Sequence, residues 1–151
     1  MAKWEKSLLE VEKVLSKFSI PLNKGVSEGD ILILSENVEK RLGSGKLAVG
    51  YKDFLRKVNG LVFNGVNVYG VDEEFIQDNN DHIEGFIDNN EVWREEDDEN
   101  RYLYYGDTDV AWFCYDMIDD IYVELDKPSV SLMREFDSFD DMLNTMLKLM
   151  V

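Results

Sequence analysis

The stretch GLVFNGVNVY, residues 60–69, decides the fold. Before it, apolar residues recur every three or four positions. From Leu61 onward the spacing shortens to that of strands. Leu61–Val62–Phe63 and Val66–Asn67–Val68–Tyr69 flank the dipeptide Asn64–Gly65. Asn-Gly supplies the two positive φ angles that a type I′ turn requires, so a tight hairpin is predicted here.

Toward the N-terminus the pattern predicts three helices. The first runs from about Ala2 to Lys17, with Trp4, Leu8, Val11, Leu15 and Phe18 on one face, and Pro21 ends it. The second runs from Glu28 to Leu42, with Ser27 and Asp30 placed as an N-terminal cap. Its stripe is Ile31, Leu34, Val38 and Leu42, and Gly43 is placed to end it. The third runs from about Val49 to Asn59, turns Tyr51, Phe54, Leu55 and Val58 inward, and stops at Gly60.

Beyond the hairpin, a short helix is expected at Asp81–Asn89, with Ile83, Phe86 and Ile87 inward. A three-strand meander follows: Tyr102–Tyr105, Val110–Asp116 and Ile121–Leu125, with turns at residues 106–109 and 117–120. The middle run, VAWFCYD, is apolar on both parities, which predicts a central strand covered on both faces. The last helix, Phe139–Met150, opens at Ser138 and Asp141 and buries Phe139, Met142, Leu143, Met146, Leu147 and Met150. Asp140 and Asp141 also suit the positive end of its dipole. Helices, then strands, then a helix predict an α+β fold: an antiparallel sheet, hairpin plus meander, with the helices packed around it. At 151 residues the chain fits one domain, residues 1–151.

The formal net charge is −16, and it is unevenly spread. Residues 1–70 carry 11 basic and 8 acidic side chains, whereas residues 71–120 carry 2 basic and 18 acidic. Such a field repels nucleic-acid phosphates and anionic membranes and attracts basic partners. Neither nucleic acid nor membrane is therefore an expected partner. No segment has the ~20 apolar residues of a bilayer span, and the charged N-terminus lacks the apolar stretch of a signal peptide. With Cys114 as the single cysteine, no intrachain disulfide is available, and a cytoplasmic location is expected.

The residues offer no catalytic constellation. His82 is the only histidine and sits in an acidic stretch, at the start of the expected helix. Cys114 lies mid-strand among aromatics, where a buried, inert thiol is the expectation. One histidine and one cysteine do not make a zinc site. Gly43–Ser44–Gly45–Lys46 lacks the spacing of a phosphate loop and follows a helix. A calcium loop starting at Asp78 has Asn80 at the third position but His82, Ile83 and Asn89 at the fifth, sixth and twelfth. No enzyme activity, cofactor or metal is expected.

What remains is a surface for another protein. Tyr102, Tyr104, Tyr105, Trp112, Tyr115 and Tyr122 occupy adjacent strands, interleaved with aspartates. Aromatics that face outward serve as interface anchors. The candidate partner-binding residues are Trp93, Glu95, Glu96, Asp97, Asp98, Glu99, Tyr104, Asp107, Asp109, Trp112, Asp116 and Asp119.

The segment from Ser27 to Asp72 resembles the N-terminal signature of the SUKH superfamily, above all its YrhA-like branch. The matching stretch is LAVGYKDFLRKVNGLVFNGVNVYGVD. Tyr51, Phe54 and Leu55 match a Y-x-x-F-L helix, and Asn59–Gly60 match the N-G that closes it. Phe63, Asn64 and Gly65 match the F-N-G hairpin, and Tyr69–Gly70 its end. YLYYGDTDVAWFCYD and FDSFDDML resemble the branch's later strands and closing helix. Leu47–Ala48 stands where the family has Leu-Pro. The superfamily contains bacterial immunity proteins and fungal cell-wall-synthesis regulators. The resemblance implies helices around an antiparallel sheet and a protein that binds and neutralises a toxin, often a nuclease. It transfers no catalytic or toxin-binding residue. A basic toxin domain is thus the expected partner, with a non-catalytic adaptor role as the alternative.

Overall fold

The Asn64–Gly65 turn takes the predicted form, with φ of 52° and 79°, and joins β1 (Leu61–Phe63) to β2 (Val66–Val68). The computed structural model describes residues 2–43, 45–76 and 81–151. Asp78 and Asn80 of the rejected calcium loop, and Ser44 of the glycine-rich stretch, lie outside the described residues.

The hairpin is one end of a six-stranded sheet whose strands lie in chain order, each antiparallel to its neighbour. β3 is Tyr102–Asp107, β4 Ala111–Asp116, β5 Ile121–Asp126 and β6 Leu132–Phe136. The α+β class therefore holds, and the hairpin and meander form one sheet through Asn67↔Asp107 and Val68↔Gly106. β4 lies inside the sheet, as its apolar run predicts, but its strand begins at Ala111 instead of Val110. β3 runs on through Gly106 and Asp107, which the sequence had placed in the turn. β6 was not foreseen. Leu132, Met133, Arg134 and Glu135 are all exposed along this edge strand, so no buried alternation announces it.

The helices are α1 (Lys3–Ser16), α2 (Glu28–Leu42), α3 (Val49–Lys57), α4 (Phe86–Trp93) and α5 (Phe139–Leu149). α2 has the predicted ends. Ser27 Oγ accepts from the Asp30 amide at 3.1 Å, the Asp30 carboxylate accepts from the Ser27 amide at 3.3 Å, and Gly43 closes the helix. α5 buries its predicted stripe against the sheet, and α1 packs on α5. Between α3, α4, α5 and β3 lies an aromatic core. Tyr105 meets Tyr51 at 4.9 Å, Phe139 at 5.0 Å and Phe86 at 5.3 Å between ring centroids. Phe18 does not join the α1 stripe. The helix ends at Ser16, and Phe18 is 64% exposed.

Two long-range contacts shape the region after the hairpin. The buried side chain of Asn59 pairs with the backbone of Val71, accepting from its amide at 2.6 Å and donating to its carbonyl at 3.2 Å. A Cβ on Gly70 would fall 2.6 Å from the Asn59 side-chain oxygen, so only glycine lets the two segments close this far. The second contact resets α4. Asp72 accepts from the amides of Ile87 and Asp88, both at 2.9 Å, and so supplies the N-terminal cap. The helix begins at Phe86 and not at Asp81, and it runs four residues past Asn89. Ile83, Phe86 and Ile87 are nonetheless buried as expected.

Among the described residues no helix is long and apolar enough to cross a membrane.

Candidate functional site

The alternation of β3 and β4 divides their aromatics between two faces. Tyr105, Tyr115 and Tyr122 belong to the face that α5 covers, where Tyr115 and Tyr122 meet at 5.0 Å and Tyr122 meets Phe139 at 5.9 Å. Tyr102, Tyr104 and Trp112 belong to the other. A bulge at Tyr105 shifts the β3–β4 register, so that Tyr104 opposes Cys114, Gly106 opposes Phe113 and Asp107 opposes Trp112. The bulge therefore returns Asp107 to the face of Tyr104.

α4 flanks this second face. β2 pairs with only the end of β3, and further along α4 replaces the missing neighbour. The Asn90 carboxamide accepts from the Tyr104 amide at 2.7 Å and donates to its carbonyl at 2.8 Å, as a strand would. One turn later Trp93 reaches over the sheet and meets Trp112 edge-on at 5.6 Å. Trp112 meets Tyr104 at 6.1 Å, and Tyr104 meets Tyr102 at 6.3 Å. The result is a continuous aromatic track: Trp93, Trp112, Tyr104, Tyr102.

This track lines a cleft of about 700 Å³. One wall is the segment after α4, where a 3-10 turn (Arg94–Glu96) leads into the loop to β3. It presents Glu95, Glu96, Asp97, Asp98 and Glu99. The other wall carries Asp109, Lys127, Pro128 and Val130. Buried Arg94 anchors the acidic wall by donating to the Leu42 carbonyl at 2.7 Å and the Asn100 carbonyl at 3.3 Å. Asp97 accepts from the Tyr102 amide at 2.9 Å. Glu95, Glu96, Asp98, Glu99 and Asp109 make no ion pair or side-chain hydrogen bond among the described residues.

The two cations of the cleft are both engaged. Arg101 is bidentate on Asp116 at 2.9 and 2.7 Å, reaches Asp119 at 3.0 Å, and lies 5.4 Å from the Tyr102 ring centroid. The Lys127 ammonium donates to the Thr108 carbonyl at 2.8 Å and sits 4.7 Å from the Trp93 ring and 5.5 Å from the Trp112 ring. Unpaired carboxylates on one cleft with both cations committed leave a strong negative field over an apolar floor.

No protein-family model matches the chain, and no curated protein matches it.

Of the sequence candidates, Trp93, Glu95, Glu96, Asp97, Asp98, Glu99, Tyr104, Asp109 and Trp112 line this one cleft. Asp107, Asp116 and Asp119 do not. Asp107 is 5% exposed and accepts hydrogen bonds from Tyr69 and, at 2.7 Å, from Asn67. Asp116 is 4% exposed; burial works against its charge, but the Arg101 guanidinium and the Asp119 and Ile118 amides together outweigh it and hold the carboxyl below the usual range. Asp119 is exposed but turned to Arg101. Tyr102, Arg101, Lys127, Pro128 and Val130 were not among the candidates. Tyr102 could have been found from its two-residue spacing to Tyr104. Nothing local marks Lys127 or Val130, which the β5–β6 connection brings in. His82 is exposed and does not line the cleft, and burial pushes the Cys114 thiol well up.

Proposed function

We propose that this chain is an immunity-type protein that binds and neutralises a basic toxin domain, of the nuclease class, across the acid-rimmed aromatic cleft. The observation that carries the reading is the set of unpaired carboxylates, Glu95, Glu96, Asp98, Glu99 and Asp109, around an aromatic floor. A nuclease must present cations to bind phosphates, so its active face complements this field. Covering that face would exclude the nucleic acid without any chemistry by the inhibitor. Long-range attraction would raise the association rate, and the aromatics would supply the desolvated anchor. The resemblance to the SUKH superfamily supports the toxin over other basic partners.

The test is capture of C-terminal toxin domains encoded in the same genome, followed by a nuclease-inhibition assay. The expected result is a stoichiometric complex that blocks cleavage and is weakened by Glu96→Lys/Glu99→Lys. Failure to bind any such domain would overturn the reading in favour of a non-catalytic adaptor.

A further inference from the structure

We propose that Asn64 is a site of spontaneous deamidation, and that the fold protects Asn59 from the same reaction. The proposal is independent of what binds the cleft. The sequence holds two Asn-Gly pairs, Asn59–Gly60 and Asn64–Gly65. Glycine has no Cβ to shield its amide, so both pairs are chemically competent. In the reaction the glycine amide nitrogen loses its proton to solvent and attacks the side-chain carbonyl carbon of the asparagine. The N–Cγ bond forms, the Cγ–Nδ2 bond breaks, and the departing nitrogen takes a proton and leaves as ammonia. Water then opens the cyclic imide at either carbonyl, giving aspartate or isoaspartate. One water enters and one ammonia leaves, with no oxidant or reductant.

The structure separates the two pairs. Asn59 and Gly60 are buried. The Asn59 carboxamide is held at both ends by the Val71 backbone, at 2.6 and 3.2 Å, and the Gly60 amide donates to the Val58 carbonyl at 3.0 Å. Electrophile and nucleophile are both engaged. Asn64 and Gly65 form the exposed tip of the hairpin. The Gly65 amide has no acceptor among the described residues, and a Cβ added there would meet nothing within 4 Å. The Asn64 carboxamide makes one long contact, donating to the Met150 carbonyl at 3.4 Å. Ring closure requires the asparagine backbone to swing out of its folded conformation. At Asn64 this takes fraying of β1, a three-residue strand at the edge of the sheet, whereas at Asn59 it takes opening of the core.

Either product changes the turn. Isoaspartate routes the main chain through its side-chain carbon, and the added backbone atom breaks the two-residue geometry that pairs Phe63 with Val66. Aspartate keeps the backbone but replaces the donor with a carboxylate that faces the Met150 carbonyl, at the negative end of α5. Both loosen the hairpin from the rest of the fold, so the turn that sets the fold is also its time-dependent weak point.

The test incubates the full chain, native and in urea, in mildly alkaline buffer. Samples are digested at acid pH, and both asparagines are followed by mass spectrometry with fragmentation that distinguishes isoaspartate from aspartate. In the native chain Asn64 should convert about tenfold or more faster than Asn59. In urea the two should convert at similar rates, because the difference belongs to the fold. The isoaspartyl product, separated by anion exchange, should show faster amide exchange at Phe63 and Val66 than the unmodified chain, with Val71 unchanged. Asn64→Gln, which must close a larger and slower ring, should abolish conversion at the tip and leave the rate at Asn59 as it was. Equal native rates at the two pairs, an Asn64 that stays unconverted in the native chain, or a rate difference that persists in urea would each overturn the proposal.

Discussion

The indole N–H of Trp93 donates to the hydroxyl of Tyr69 at 2.9 Å, and that hydroxyl in turn donates to Asp107. One buried relay thus fixes the wall of the cleft to the end of the hairpin. Removing its middle member leaves the Trp93 indole without an acceptor and Asp107 with one donor fewer. Tyr69→Phe is therefore expected to cost about 1–3 kcal/mol. It should also loosen Trp93, read as a lower midpoint in urea and a changed Trp emission in the native state.

Asn59 holds both backbone groups of Val71 from a buried position. Asn59→Ala strands the buried amide and carbonyl of Val71. The expected loss is about 2–4 kcal/mol by denaturant unfolding, with no specific effect on the cleft.

Stability should pass through a maximum on the acid side of neutrality. Burial raises the Asp72 carboxyl from 3.8 to about 6, although it accepts from Ile87 and Asp88. A raised pKa means the folded state takes up a proton that the unfolded state does not. The associated stability is full below about pH 4 and is lost as pH rises through 6. Asp116 has the opposite sign. Its carboxyl is held low, so its contribution is present above about pH 4 and is lost as pH falls through the folded value. Unfolding midpoints from pH 3 to 8 should rise from the acid end to about pH 4, decline between about 4 and 6, and level off above 6. Asp72→Asn should flatten the decline, and Asp116→Asn should flatten the acid limb.

Cys114 is fully buried on β4, and burial raises its thiol. It should be inert to a thiol reagent in the native protein and react at the rate of global opening. Fast labelling of the native state would show that the cleft-side face of the sheet opens locally.

Much of the fold was legible where the signal is local. The α2 caps, the Asn64–Gly65 turn and the α5 stripe each depend on residues within a few positions, and each took its expected form. The failures have distant causes. α4 starts where Asp72 caps it, fourteen residues upstream of its first turn, so the period around Asp81 could not locate it. β6 hides because an edge strand with four exposed residues has no alternation to read. The acidic wall and Trp93 were readable as candidates from composition, but the roles of Asp107 and Asp116 were not. Charge on a strand says nothing of whether the side chain ends at Tyr69, at Arg101 or in solvent.

The central claim is that unpaired carboxylates on the aromatic cleft draw in a basic partner. The most direct measurement is the association rate of a captured toxin domain at low and high salt, for the wild type and for Glu95→Gln/Glu96→Gln/Glu99→Gln. The account predicts a rate that falls steeply with salt in the wild type, and a slower, flatter rate in the variant. Equal rates at both salt concentrations, or a variant indistinguishable from the wild type, would contradict it.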